Sequence, residues 1–290
     1  VQLNDLARQA WMEFLGNKDN RGHSERELTG SDIDCHVDAC WQSALATVER
    51  ISHDFHGNEP NCILEVGAST GLNCFALRKR WPQSRVIGIE PEYVAVRAAQ
   101  MMAQALQEPV PEFILGYGES LPLPDASVDL IVCHTVIEHV QDVEAVVAEM
   151  SRVLSPQGVL HLEAPNYVWP YEPHLGIWCL PVLGKAGVKL AAVLQGKKQQ
   201  IGFLEHLQFV TPSRLEAAFR RHGLTWDNRV REKILRTLNG DSSHVMAYRH
   251  AAAVLRLLSR IGMGRLLVSS ILWLGLYPSL LYSCRRCRRG

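Results

Sequence analysis

Leu64-Glu65-Val66-Gly67-Ala68-Ser69-Thr70-Gly71 is an apolar run that breaks into a turn of small residues, and a helical pattern begins directly after it near Leu72. Small side chains at such a turn let a ligand come close to the backbone. Glu65 stands just before the turn. An acid there would repel a pyrophosphate seated on the following helix N-terminus, but it would attract a cationic ligand.

Working outward, short apolar or β-branched runs at 62–66, 85–89, 113–115, 128–133 and 159–163 read as strands. Helical patterns at 72–81, 93–106 and 143–154 lie between them, the last stopped by Ser155-Pro156-Gln157-Gly158. Strand alternating with helix predicts an α/β fold with a mainly parallel sheet and helices on both faces. Upstream, apolar residues at Val37, Trp41, Leu45, Val48 and Ile51 predict an amphipathic helix, ended by His56-Gly57-Asn58-Glu59-Pro60. Downstream, 166–200 is rich in aromatics, Pro and Gly before 186–194 turns helical, which reads as an inserted cap. A helix at 212–222 and strands near 225–230 and 244–249 are expected to complete the sheet. The expected organisation is a helical lead (1–58), a ligand-binding core (59–166), a substrate cap (167–210), the rest of the sheet (211–250) and a C-terminal segment (251–290).

Glu90 closes the second strand, 25 positions after Glu65, where a doubly wound sheet puts the carboxylate that grips a ribose diol. Gly116-Tyr117-Gly118-Glu119-Ser120 follows the third strand, and His134-Thr135-Val136-Ile137-Glu138-His139 follows the fourth. Taken in order, these segments resemble the motifs of the class I S-adenosylmethionine-dependent methyltransferases, in the branch that methylates small molecules, lipids and glycans. The resemblance covers about residues 61–166. It implies a Rossmann-like seven-stranded sheet, S-adenosylmethionine as cofactor, and methyl transfer to a nucleophile. By the same resemblance Glu65, Gly67 and Gly71 line the methionine end, Glu90 holds the ribose, and Gly118 with Glu119 borders the adenine. Two positions depart from the pattern. Ser69 replaces the middle glycine of the turn and adds a hydroxyl, and Tyr117 stands where relatives carry an Asp for the adenine amino group, with Glu119 as the substitute.

Other readings of these residues stay open at this point. Gly67-Ala68-Ser69-Thr70-Gly71 also fits the G-x-S-x-G nucleophile elbow, so a serine hydrolase using Ser69 is an alternative, although no earlier strand precedes it to supply an oxyanion loop. A nicotinamide dehydrogenase would want glycine where Cys74 stands. A protein that binds the cofactor without catalysis is the third alternative.

On the acceptor side, Tyr167-Val168-Trp169-Pro170-Tyr171-Glu172-Pro173-His174 follows the fifth strand. It is similar to segments of methylases of polysaccharide and lipid pathways. An oxygen acceptor must lose a proton, so His174 is the candidate base, with Glu172 as its orienter or substitute and His134 as a second candidate. His206 is placed to approach from the far side of the cap. His139 reads equally as a cap of the helix after the fourth strand. No metal ligand set is read: Cys284-Arg285-Arg286-Cys287 lacks a second ligand pair and reads as an exposed tail or an acylation site.

Thirty basic and thirty acidic residues cancel, so nucleic acid is not an expected partner. The eight cysteines are scattered rather than clustered and the opening residues carry no signal-peptide pattern, so the expected compartment is the cytoplasm. Residues 266–283 are eighteen positions without a charge, flanked by Arg256, Arg260 and Arg265 on one side and by Arg285, Arg286, Arg288 and Arg289 on the other. Pro278 and the basic flanks argue against a span. The expectation is a peripheral helical membrane anchor over 266–289, with Trp273, Tyr277 and Tyr282 at the interface and a small-molecule or lipid-linked acceptor.

Overall fold

The structure is a computed structural model that describes residues 1, 3–16, 29–55, 59–106, 109–180, 183–238, 269–270 and 272–287. Five parallel strands form the body of a seven-stranded sheet: β1 (Cys62–Val66), β2 (Arg85–Glu90), β3 (Glu112–Leu115), β4 (Val128–His134) and β5 (Leu154–Pro165). The full order is β3-β2-β1-β4-β5-β9-β8, with β8 at Leu224–Asn228 and β9 at Ser279–Arg286. The order reverses at β1, whose neighbours are β2 and β4, so their carboxyl ends frame the crevice where an open α/β sheet takes its ligand.

The two faces follow from the period of two along each strand. Ile63, Val86, Leu130 and Val132 point to one side, covered by α1 (Asp5–Gly16), α2 (Gly30–Asp54), α3 (Leu72–Arg80) and α4 (Tyr93–Leu106). Leu64, Val66, Ile131 and Cys133 point to the other, under α5 (Val143–Val153) and α7 (Pro212–Arg221). The helix starts are fixed by local chemistry. Thr29 and Asp32 form a capping box on α2, the Asp142 carboxylate accepts Glu144 N–H at 2.8 Å on α5, and Thr211 caps α7 ahead of Pro212.

The cap carries a small core of its own. A hairpin of β6 (Tyr171–Glu172) and β7 (Ile177–Trp178), the helix α6 (Gly184–Leu194) and a 3-10 segment (Lys198–Glu205) enclose Tyr167, Leu175, Ile177, Val188 and Leu204. Tyr167 stacks on Phe209 at 4.4 Å, and Gln208 N–H donates to the Glu138 carbonyl at 2.6 Å, tying the cap to the segment after β4.

The C-terminal reading needs correcting. Ser279–Arg286 is not part of a helical anchor: it is β9, antiparallel between β5 and β8. Tyr277 and Tyr282 are buried rather than interfacial, Tyr282 donating to Glu216 Oε1 at 2.7 Å, and of the Cys284–Cys287 pair Cys284 is buried in the sheet while Cys287 is exposed. A strand with neighbours on both edges and covered faces is apolar throughout, and hydropathy does not separate it from a membrane-lying helix. Trp273 is 85% exposed. Among the described residues no helix is long and apolar enough to cross a membrane. The expected strand at 244–249, the arginines at 256, 260, 265, 288 and 289, and residues 266–268 lie outside the described residues. α1 lies within the expected helical lead, whereas α8 (Val230–Leu238), which follows β8, has no counterpart in the sequence pattern.

Candidate functional site

The carboxyl ends of β1, β2 and β4 and the underside of the cap enclose a cleft of about 1420 Å³. Glu65, Gly67, Ser69, Glu90, Gly118, Glu119, His134, His174 and His206 all line it, drawn from positions up to 141 residues apart. Gly71 and Glu172 do not. Gly71 caps the start of α3, and Glu172 is fully buried behind His174.

The turn after β1 is held by its neighbours. Gly67 has φ +71° and a Cβ there would stand 2.3 Å from Val136 Cγ2, while a Cβ on Gly71 (φ +73°) would meet Phe113 Cζ at 2.4 Å. Glycine is therefore demanded here by backbone conformation and by close packing of protein on protein, and not only by room for a ligand. Ser69 itself takes φ 47°, and its N–H donates to Glu90 Oε2 at 2.7 Å. Among the described residues no histidine hydrogen-bonds the Ser69 hydroxyl, so the nucleophile-elbow alternative lacks its base.

Glu65 is buried and accepts Asn73 Nδ2–H at 2.8 Å and the Cys74 thiol at 2.9 Å. Burial pushes its carboxyl up to about 7 against the opposing pull of those two donors. Glu90 is likewise raised by burial, although the backbone N–H groups of Glu92 and Ser69 favour its charge. With one N–H on each oxygen it keeps lone pairs for further donors. A cation beside Glu65 and a diol beside Glu90 would satisfy both groups. Glu119 Oε1 accepts the N–H groups of Gln141 and Asp142 and so fixes the loop into α5, beside the exposed Tyr117 on the same wall.

Opposite lies a cluster of imidazoles. His174 Nδ1 is 2.7 Å from Glu172 Oε1, and Glu172 Oε2 accepts the Leu175 N–H at 2.6 Å, so the carboxylate is fixed and holds the ring. His139 meets His174 edge-on at 5.0 Å, and Phe203 packs on both rings. His139 does not cap α5, since Asp142 does. His134 Nε2 contacts His161 Nδ1 at 2.7 Å. Desolvation and the adjacent His161 take His134 down to about 3, which makes it a weak base. Glu138 escaped the sequence reading. It is fully buried below His139, and burial pushes its carboxyl up to about 7. Its signal was the acid–imidazole pair after β4, which sequence alone could not aim at His174.

A smaller cavity of about 390 Å³ adjoins the cleft through Ser69, Asn73, His134 and Thr135. Its far wall carries Arg50, Lys233 and Glu163. Burial alone would raise Glu163, but Lys233, His134 and Arg50 take it down to about 2.

The family described as "Methyltransferase domain" matches residues 64–162. A malonyl-[acyl-carrier protein] O-methyltransferase of Xylella fastidiosa is 34% identical over 110 residues, 38% of this chain and 37% of that protein. A norajmaline N-methyltransferase of Rauvolfia serpentina is 30% identical over 154 residues, 53% of this chain and 52% of that one. A demethylmenaquinone methyltransferase of Deinococcus radiodurans is 30% identical over 158 residues, 51% of this chain and 63% of that one. The chain thus spans less than two thirds of each of these relatives. In fold it is similar to the YcgJ protein of Bacillus subtilis (TM-score 0.52, 21% identity, 86% of this chain and 100% of that one). A geranyl diphosphate methyltransferase solved with its cofactor gives a TM-score of 0.53 at 15% identity over 83% of this chain and 85% of that one.

Proposed function

We propose that this chain, whose residues 64–162 match the methyltransferase-domain family, is a class I methyltransferase that transfers a methyl group from S-adenosylmethionine to an oxygen of a small-molecule, glycan or lipid-linked acceptor. The observation that carries the reading is the pair of buried carboxyls, Glu65 near the end of β1 and Glu90 at the end of β2, facing one cleft. When bound, the cofactor supplies an electrophilic methyl on a sulfonium. Glu65 offers its charge to the ammonium or sulfonium end, and Glu90 offers lone pairs to the ribose hydroxyls. Gly118 packs close enough to Val66 and Val146 that a Cβ would crowd both, which keeps the adenine edge of the cleft flush.

Methyl transfer is an in-line displacement, so the protein gains most by aligning the acceptor, and an acceptor hydroxyl must also give up its proton. His174, held by Glu172, is the group at hand for that proton. An approach to a membrane is supported only by a narrowed surface, the exposed Trp273 with Leu274 and Leu276. Labelled methyl transfer from S-adenosylmethionine to acceptor candidates is the test. Cofactor binding with no transfer to any acceptor would favour the non-catalytic alternative.

A further inference from the structure

Glu138 is fully buried, and among the described residues neither of its carboxylate oxygens has a hydrogen-bond partner. A buried acid left in that state is costly unless something cationic reaches it. His139 Nε2 stands 3.8 Å from Glu138 Oε1, too far for a hydrogen bond. One ligand atom each from Glu138, His139 and His174 lie within 4.8 Å of one another. We propose that these three side chains hold a divalent transition-metal ion of the zinc type on the wall of the cleft.

Two imidazoles and one carboxylate are a ligand set for such an ion, and three protein ligands leave a coordination position for an outside molecule. Ligand atoms around a tetrahedral ion sit roughly 3.4 Å apart at a bond length of about 2.1 Å, so closure asks for only small side-chain rotations. The surroundings are those of a built site. Glu172 accepts from His174 Nδ1 and is itself pinned by the Leu175 N–H, which fixes the orientation of the His174 ring. Phe203 packs on both imidazoles, at 5.9 Å from His139 and 5.3 Å from His174, and limits their rotation. Glu138 is buried on the protein side while His139 and His174 line the cleft, so the remaining position faces the space shared by cofactor and acceptor. The ion would take an acceptor oxygen there and make its proton more acidic. His174 then acts through the ion rather than as a lone base.

This inference rests on the reading of the cleft as the cofactor and acceptor site, and the two fail separately. The full chain, free of any tag and stripped with chelator, is titrated with Zn²⁺ by calorimetry and with Co²⁺ by visible absorption. The expected result is one ion per chain, a raised melting temperature, and visible Co²⁺ bands of a site with few ligands. Glu138→Gln and the His139→Ala, His174→Ala double variant should each bind Zn²⁺ at least tenfold more weakly, while binding of S-adenosylhomocysteine stays within about twofold. If Glu138→Gln does not fold, the histidine variant, altered only on the cleft wall, carries the comparison. No Zn²⁺ binding by the native chain, or equal binding by native and variant proteins, overturns the metal site. S-adenosylhomocysteine bound in that same sample leaves the methyltransferase reading standing, and its failure to bind the native chain sinks that reading instead.

Discussion

Glu90 Oε2 accepts the backbone N–H of Ser69 at 2.7 Å, which clamps the turn after β1 to the end of β2. The other oxygen takes the Glu92 N–H at 3.0 Å. One side chain therefore shapes the cradle and also faces its ligand. Glu90→Ala should weaken S-adenosylhomocysteine binding by about 2 to 4 kcal/mol, the loss of two charge-assisted hydrogen bonds. Calorimetry measures it, and unchanged affinity in a folded variant removes Glu90 from the site.

Glu65 gives a pH dependence. Its carboxyl is held up at about 7, so it is largely neutral below that value and charged above it. The α-ammonium of a bound S-adenosylhomocysteine prefers the charged form, and its affinity should rise between pH 6 and pH 8 by up to about tenfold. Glu65→Gln should flatten that rise. Without ligand the sign reverses: the contribution of Glu65 to stability is complete below its unfolded value of 4.5 and is lost as pH rises through about 7. A native profile flat across pH 6 to 8 would contradict the assignment.

Gly67 is a steric and a conformational test at once. Gly67→Ala puts a methyl against Val136 at φ +71°, and it should destabilise the fold by roughly 1 to 3 kcal/mol. Adding Val136→Ala removes the two Cγ clashes but leaves a tight Cβ contact at 3.1 Å and the backbone strain, so stability should recover only in part. Full recovery in a urea titration would mean that packing alone demands the glycine.

His174→Ala should lower turnover by roughly a hundredfold or more with cofactor affinity nearly unchanged. Glu172→Gln, acting through His174, should lower turnover less and leave cofactor affinity alone. Steady-state kinetics with an identified acceptor separate the two, and a fully active His174 variant would return that residue to a packing role.

Leu280 is fully buried in β9, and Leu280→Ala should cost about 2 to 5 kcal/mol of stability. Trp273→Ser, on the exposed surface, should change stability by less than about 0.5 kcal/mol. If the surface around Trp273 meets lipid, only the Trp273 variant should float less with anionic vesicles at unaltered stability. Equal flotation of native and Trp273→Ser protein would end the membrane proposal.

The sequence by itself determined the parallel half of the molecule. From Cys62 to Glu163 each strand and helix is marked by local features, namely β-branched runs, the small-residue turn and the Pro156-Gly158 stop, and the cradle residues sit at fixed offsets along that ladder. Alternation of strand and helix leaves few ways to connect them, so local pattern and fold coincide. Tertiary structure alone decided the rest, because it depends on partners far apart in the chain. β9 became a strand through pairing with β5 and β8, and its apolar run carries no mark of those neighbours. The convergence of Glu138 and His139 with His174, thirty-five residues beyond His139, depends on how the cap folds back over the sheet. Spacing sets what lies on one element, but contact between elements is set by packing, and packing is written in shapes that a linear reading does not contain.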